Sequence, residues 1–279
     1  MDNMKKEDLI GQVEETTDTI DPWRVRAFGA TLGLGDVSDA IGSDLPIGWH
    51  WGFFLPTVPR AGLGPDGHAA RGGFLSSDTF ARRMWAGGRV SVVQALRIGE
   101  TATRRSTVLG VSEKEGKSSS LVFVTIRHDI TGEEGAELSE EHDIVYRGPS
   151  KKPVVPKVAP TDAQWSEVVT LDPVLLFRYS ALTFNSHRIH YDADYCRTVE
   201  GYPGLVVHGP LTATLLLHLA ARKCPSARIS DFSFRGISPL FVSEDITLAG
   251  KKTDTGATLW ATNEAGGLAL RAEVTFAHG

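Results

Sequence analysis

The segment Gly209–Arg222 constrains the fold of this chain more than any other stretch of its sequence. Leucine and alanine fall on almost every side of the helix that it would form, and Thr212, Thr214 and His218 interrupt the apolar run. A helix that is apolar nearly all round must be buried rather than lie on a surface. The run is too short and too polar to cross a bilayer. We therefore predict a helix enclosed within a soluble protein.

Strand-like segments follow this helix without interruption by another helical pattern. A buried helix that precedes several antiparallel strands indicates a sheet wrapped around the helix, which is an α+β layout. Trp165–Thr170 adds a further strand candidate upstream. The candidates downstream of the helix are Ala227–Phe234, Asp245–Thr253, Ala257–Asn263 and Leu268–Ala277.

The first half of the chain shows a similar order of elements with weaker signals. The β-branched run at Ser119–His128 is typical of a buried strand. An aromatic group at residues 49–54, together with Trp85, is interpreted as core. Further strands are predicted at Arg89–Leu96, Thr101–Val111 and Asp143–Arg147.

Two Asp-Pro pairs mark the starts of helices. Asp21 and Asp172 each precede a proline, and this order is typical of an N-cap followed by proline at the first helical position. We expect helices from Trp23 to Leu34 and from Pro173 to about Leu182. The charged first fifteen residues also predict a helix, and residues 192–199 a short one.

A proline-rich and lysine-rich segment at residues 148–160 predicts an extended linker, because proline cannot continue regular elements there. It divides the chain into an N-terminal unit at residues 1–147 and a C-terminal unit at residues 161–279. A length of 279 residues also favours two units over one.

Composition narrows the classes of partner. The net charge of −5 and the pI near 6.0 argue against a general nucleic-acid binder. Two cysteines, Cys196 and Cys224, give no disulfide framework and fit a reducing, cytoplasmic compartment. The N-terminus shows no apolar signal segment, and no membrane association is predicted.

The candidate chemistry lies in two nearby motifs, Asn185–His190 and Gly204–Pro210. A histidine can take up and return a proton near neutral pH. Gly209 at the start of the buried helix would present an unpaired N–H group where the helix dipole favours negative charge. Such a donor suits an oxygen that gains negative charge during a reaction, for example a thioester carbonyl.

These motifs resemble those of the MaoC-type enoyl thioester hydratases, whose pattern runs Asp-x-Asn-Pro-Ile/Leu-His and then His-Gly. His190 matches the catalytic histidine of that family, and Gly209 matches the glycine whose N–H group binds the thioester oxygen. Asn185 stands at the position of the catalytic aspartate. The variant resembles the branch of type-2 hydroxyacyl-thioester dehydratases and of itaconyl-CoA and mesaconyl-C4-CoA hydratases. Segments 83–89 and 117–124 resemble the degenerate N-terminal half of that branch.

The resemblance implies a double hot dog fold, with a degenerate N-terminal hot dog and a catalytic C-terminal one. It implies a hydro-lyase that acts on an acyl-CoA thioester, with itaconyl-CoA or mesaconyl-C4-CoA converted to citramalyl-CoA, and no cofactor. His190 would move protons, Asn185 would hold water, and Gly209 would stabilise the enolate oxygen. An (R)-3-hydroxyacyl thioester dehydratase of fatty acid metabolism is the alternative within the branch.

Five further residues are candidate substrate contacts, although each of them also has a purely structural interpretation. His187 and His208 could orient the loop and the helix start instead. Arginine grips phosphates and carboxylates through paired hydrogen bonds, so first-half arginines could contact CoA or an acyl carboxylate. A zinc site built from the histidines is a weaker hypothesis, because a carboxylate pattern is missing. The five are His187, His208, Arg83, Trp85 and Arg235.

Two other functions stay open at this point. Hot dog folds also host thioesterases, and fold alone does not decide between activities. Gly209–Arg222 contains no carboxylate that could act as a thioesterase base, which counts against this function. A non-catalytic thioester-binding protein would have no use for His190. A homodimer is plausible for the architecture.

Overall fold

The computed structural model describes residues 6–35, 37–69, 82–115, 120–147 and 157–277. In this part of the chain, ten antiparallel strands form one sheet in the order β1-β3-β4-β5-β2-β7-β10-β9-β8-β6. The strands are β1 Val13–Thr19, β2 Arg82–Gln94, β3 Thr101–Glu115, β4 Ser120–Gly132, β5 Glu137–Arg147, β6 Trp165–Thr170, β7 Ile229–Gly236, β8 Asp245–Lys252, β9 Gly256–Thr262 and β10 Leu268–Phe276.

The described helices comprise four α-helices and several short turns. They are α1 Pro22–Leu32, α2 Pro173–Leu182, α3 Ala193–Tyr195 and α4 Gly209–Lys223. A π-helical turn, Cys196–Glu200, continues α3. The 3₁₀ turns are Lys6–Leu9, Trp49–Gly52, Arg60–Gly62 and Arg188–His190.

Helix α4 is the buried helix that the sequence predicts. Leu211, Leu216 and Leu219 are fully buried, and so are Ala213 and Ala220. The helix contacts β7, β8, β9 and β10, so the second-half strands wrap around it. In the described ranges, no helix is long and apolar enough to cross a membrane.

The two halves of the sheet meet where β2 pairs with β7. Each half contributes five strands, and α4 lies against the second half. In the described part of the first half, the one α-helix is the shorter α1, whose Phe28 stacks on Trp49 at 5.5 Å between ring centroids. This arrangement confirms the predicted α+β double hot dog. The predicted linker falls mostly on residues outside the described ranges, so the division into two units stays a prediction.

The start of the chain corrects one expectation. Residues 1–5 of the helix predicted over the first fifteen residues lie outside the described ranges. For the rest that prediction is wrong, because Lys6–Leu9 forms only a 3₁₀ turn and Val13–Thr19 forms β1 at the edge of the sheet. Pairing with β3 along its whole length outweighs the local preference of a charged segment, since tertiary contacts routinely override propensity.

Both predicted N-caps are confirmed. Asp21 accepts hydrogen bonds from the backbone N–H groups of Trp23 and Arg24, and Asp172 accepts one from Leu175 at 2.7 Å. In each helix, proline occupies the first turn, where no donor is lost. These caps fix where α2 begins, and its far end leads directly into the motif that carries the candidate chemistry.

Candidate active site

Asn185 is positioned by the turn that ends α2. Phe184 adopts a left-handed φ of 48°, which turns the chain so that the Asn185 N–H donates to the Ser180 carbonyl at 2.8 Å. Such a conformation persists in a non-glycine residue only where its surroundings enforce it. The side-chain oxygen of Asn185 accepts the His187 N–H at 3.0 Å. The amide NH₂ is therefore the end of Asn185 that can donate to a water or substrate.

His190 is buried in the 3₁₀ turn that follows. Its Nδ1 lies 2.7 Å from the Val206 carbonyl oxygen. Because a carbonyl only accepts, Nδ1 carries the proton and Nε2 keeps its lone pair. Burial lowers the pKa of His190 to about 4, against the opposing effect of the hydrogen bond to Val206. The imidazole is thus a neutral proton acceptor near pH 7.

The His208 side chain packs against that of His190. The two rings stack at 3.6 Å between centroids with an interplanar angle of 18°. His208 Nε2 lies 2.8 Å from the Ser180 hydroxyl, which ties the start of α4 to α2. Burial keeps the pKa of His208 well below its usual value. His208 is therefore uncharged near pH 7 and packs flat against the His190 ring.

Gly209 opens α4 directly after His208 and lines the same cavity. A side chain at this position would meet open space, so nothing blocks the approach of a ligand to the backbone here. The first N–H groups of a helix lack partners within the helix, and its dipole favours negative charge at that end. The Gly209 N–H is consequently suited to an oxygen that becomes negative, as predicted from the motif.

Two residues that sequence reasoning missed, Asp66 and His68, approach from the first half of the chain. The His68 ring lies 4.0 Å from the His187 ring, and the His187 ring lies 5.6 Å from that of His190. His68 Nδ1 is 3.1 Å from an Asp66 carboxylate oxygen. More than a hundred residues separate this pair from the motif, and nothing in the local sequence predicts the contact.

The same trio, Asp66, His68 and His187, is the one group among the described residues whose donor atoms cluster within 4.8 Å, close enough to surround a metal ion. Asp66 and His68 already satisfy one another by hydrogen bonding. The two imidazole rings also contact each other, with their centroids 4.0 Å apart and their planes tilted by 39°. This donor set fits a carboxylate–imidazole pair better than a metal site.

The other predicted substrate contacts lie at different distances from this centre. Arg83 is exposed on the cavity wall, where its charge acts on His187 and on Tyr146. Trp85 lines the first-half end, with its ring 4.0 Å from that of His142. Arg235 is exposed and does not line the cavity, because it alternates along β7 with the buried Phe234. The structure does not bring Arg235 to this site.

A second polar cluster lies on the inner face of the first-half sheet. Glu140 is buried, with one carboxylate oxygen 3.0 Å from His50 Nε2 and the other 2.6 Å from His142 Nε2. Trp51 donates its indole N–H to Glu140 at 2.7 Å. Burial alone would raise the pKa of Glu140, but the charges of His142 and His50 outweigh it and hold that pKa well below its usual value. Glu140 is therefore an ionised group inside the protein.

One cavity of about 1840 Å³ connects the two regions. Asn185, His190 and Gly209 line its second-half end, and Glu140 and His142 line its first-half end. The second-half end combines a neutral proton acceptor, an amide donor and a helix-start N–H group. These are the groups required to add water across a double bond conjugated to a thioester, or to remove it.

Comparison with known proteins agrees with this chemistry. Residues 48–242 match the model of the family described as hydroxyacyl-thioester dehydratase type 2. Mesaconyl-C(4)-CoA hydratase of Chloroflexus aurantiacus is 42% identical over 268 residues, which cover 95% of each chain. The mitochondrial hydroxyacyl-thioester dehydratase type 2 of Schizosaccharomyces pombe is 29% identical, over 80% of this chain and 82% of that protein.

A solved structure supports the fold independently. The MaoC-like dehydratase from Phytophthora capsici superposes with a TM-score of 0.72 at 16% identity, over 99% of this chain and 98% of the other. Identity this low supports the architecture alone. The extent of the family match and the near full-length relative decide the assignment, and the chain belongs to the hydroxyacyl-thioester dehydratase type 2 family.

Proposed function

We propose that this protein adds water reversibly to mesaconyl-C4-CoA or to the isomeric itaconyl-CoA, giving citramalyl-CoA. The observation that carries the proposal is the 42% identity to a mesaconyl-C(4)-CoA hydratase along nearly the whole chain. The site supports it, because His190 presents a free Nε2 beside the helix start at Gly209.

In the proposed reaction with mesaconyl-C4-CoA, whose double bond is conjugated with the thioester, the thioester oxygen accepts a hydrogen bond from the Gly209 N–H. The Asn185 amide positions a water molecule, and His190 Nε2 takes its proton as the water oxygen bonds to the β-carbon. The electron pair of the double bond moves toward the thioester oxygen, where the Gly209 N–H stabilises the negative charge. The electron pair then returns to the α-carbon, which takes up a proton, and the hydration is complete.

A dicarboxylic acyl group carries a second carboxylate close to the reacting carbons. Arg83 is a cationic residue of the cavity wall, and its charge reaches the loop Asn185–His190, which we call the catalytic loop, since it acts on His187. Arginine binds carboxylates through two parallel hydrogen bonds. We assign Arg83 to this carboxylate, and this contact would select dicarboxylic over simple acyl groups.

The size of the cavity favours a second candidate function. A volume of about 1840 Å³ exceeds what a five-carbon acyl group fills, and the cavity extends to Trp85 and His142 in the first half. A longer acyl chain could occupy that extension. Dehydration of an (R)-3-hydroxyacyl thioester in fatty acid metabolism is therefore the alternative, and it uses the same residues in the reverse direction.

A spectrophotometric panel tests the proposal. Loss of conjugated thioester absorbance is followed with mesaconyl-C4-CoA, crotonyl-CoA and longer enoyl-CoAs, and mass spectrometry detects citramalyl-CoA formed from itaconyl-CoA. We expect turnover with the dicarboxylic substrates and little with the others. Preference for unbranched chains would establish the alternative. Release of free CoA without a hydrated product would identify a thioesterase and refute both.

Arg83→Ala is expected to raise KM for mesaconyl-C4-CoA by about 10- to 100-fold, since a hydrogen bond to a charged group contributes roughly 1.5–3 kcal/mol. Turnover of crotonyl-CoA, which lacks the second carboxylate, should stay within about twofold. Arg235→Ala is the matched control, because Arg235 is exposed outside the cavity. Equal losses on both substrates would show that Arg83 contacts the CoA portion instead.

The setting of the enzyme completes the proposal. The two cysteines are unpaired, Cys196 buried and Cys224 partly so, which supports a reducing cytoplasmic location.

We also infer a homodimer. Val13 on the edge strand β1 and Val168 on the opposite edge strand β6 are exposed apolar side chains that a partner copy could cover. Sedimentation velocity would show whether the species in solution has twice the mass of one chain.

A further inference from the structure

A first-half loop is fixed against the catalytic loop of the second half. The backbone N–H of Arg188 donates to the Asp66 carbonyl at 2.8 Å, and the Ser186 hydroxyl donates to that of Gly67. The Arg188 guanidinium also reaches the Pro65 carbonyl at 3.1 Å. Gly67 has a φ of 89°, and any side chain there would overlap the Ser186 carbonyl oxygen. The loop is thus held in one register against the site.

That loop presents a carboxylate–imidazole pair to the cavity. Asp66 accepts the His68 backbone N–H at 3.0 Å with one oxygen, and the other lies 3.1 Å from His68 Nδ1. Burial alone would raise the pKa of Asp66, but the hydrogen bond and charge of His68 outweigh it and hold that pKa at about 2. The ionised carboxylate orients the ring and leaves Nε2 for another partner. Both side chains are about one-quarter exposed and line the cavity.

Hydration of a double bond involves two proton transfers. One group takes a proton from water, and a proton must also reach the α-carbon. His190 Nε2 is suited to the first task. Asn185, which lines the cavity in the same loop, has an amide side chain that cannot exchange a proton in this range. His187 is a poor donor, because burial lowers its pKa to about 3.

We propose that His68 supplies the proton to the α-carbon and that Asp66 is its positioning residue. This inference rests on the proposed hydration activity. The water oxygen bonds to the β-carbon while its proton passes to His190 Nε2. The enolate electron pair then takes the proton from His68 Nε2 to form the α-C–H bond. His190 returns its proton through solvent and His68 is reprotonated, so that each turnover consumes one water and changes no oxidation state.

The geometry favours this assignment over a purely structural role for the pair. The His68 ring lies 4.0 Å from the His187 ring at a tilt of 39°, and the His187 ring also contacts that of His190, so the two proton-handling groups flank one ring. The charge of His68 also acts on His190. A pair that served only to hold the loop would have no need to face the cavity, because Arg188 and Ser186 already dock the loop through its backbone.

Chemical rescue tests the proposal. His68→Ala is expected to lower kcat for hydration of the enoyl-CoA substrate by about 10²- to 10⁴-fold, which is typical of a missing general acid. Added imidazole should restore part of the turnover, and a series of substituted imidazoles should rescue at rates that follow their acidity. Binding of butyryl-CoA, a saturated thioester that cannot be hydrated, should stay within about threefold by calorimetry. Asp66→Asn should show a smaller loss of kcat than His68→Ala.

Arg188→Ala is the control for loop docking, since it removes the contacts to Pro65 and to Asp192 but keeps both members of the pair. Any loss that it causes should not respond to imidazole. Wild-type kcat in His68→Ala, or rescue that ignores the acidity of the imidazole, would overturn the proposal. So would one bound metal ion per wild-type chain that the variant lacks. A wild-type protein that hydrates no thioester would instead overturn the proposed function, and the present inference with it.

Discussion

Replacing His190 with Gln is expected to lower kcat by about 10²- to 10⁴-fold, because the reaction loses its proton acceptor. Gln can still donate a hydrogen bond to the Val206 carbonyl, which His190 now contacts at 2.7 Å. The change therefore removes the base and spares the contact that holds the loop. Steady-state kinetics with the substrate identified by the panel measures the effect.

Two measurements separate a chemical loss from a structural one. The affinity for butyryl-CoA should be nearly unchanged in His190→Gln, since the Gly209 N–H and the cavity remain. The midpoint of urea unfolding should also stay close to that of the wild type. A variant that keeps more than about a tenth of wild-type kcat would exclude His190 as the base.

The pH dependence of the rate is a further test of His190 as the proton acceptor. Burial holds the pKa of His190 at about 4, so the ring accepts a proton from water at any pH above that value. As the pH is lowered, the rate should stay constant through pH 6 and fall only as the pH approaches 4. An unperturbed histidine would lose activity near pH 6.5 instead. Rates are compared only where circular dichroism shows the folded protein.

Glu140→Ala is expected to lower the free energy of unfolding by about 3–5 kcal/mol, the usual cost of removing one member of a buried ion pair. The substitution leaves the imidazoles of His50 and His142 and the indole N–H of Trp51 without their shared acceptor. Unpaired polar groups in the interior are costly, and the vacated space adds to the loss. Urea unfolding at pH 7 measures the change.

Glu141→Ala is the matched control, one residue along β5. Its side chain is about one-third exposed on the opposite face of the strand and pairs with Arg89 at 2.8 Å. Exposed pairs of this kind contribute roughly 0–1 kcal/mol. Similar losses in both variants would show that the buried cluster around Glu140 adds little to stability.

The buried titratable groups also set the response of stability to acid. The pKa of Glu140 is held well below its usual value of 4.5, so its contribution is complete above that pH and declines as the pH falls below it. Burial lowers the pKa of His128 to about 3 and that of His190 to about 4. An unfolded chain protonates these histidines from about pH 6.5 downward, which favours unfolding. Stability should therefore decline from about pH 6.5 toward pH 4.

Local sequence determined much of the second half. The apolar run predicted the buried α4, and Asp172 with Pro173 predicted the start of α2, because caps and periodicity act over a few residues. Asn185, His190 and Gly209 fall within one stretch of 25 residues, so the chain itself keeps them near one another. Their motif is sufficient to indicate the family, and it predicts the chemistry.

Only the tertiary structure decided the rest. A charged N-terminal segment became β1 because β3 offered a complete set of hydrogen-bond partners. Asp66 and His68 reached the catalytic loop through backbone contacts with Ser186 and Arg188, more than a hundred residues away. Contacts over such separations depend on how the two halves of the sheet join. Residue type and periodicity describe only local structure and do not predict this joining. The second-half motif was therefore recognisable in the sequence, whereas the contact that the first half makes with it was not.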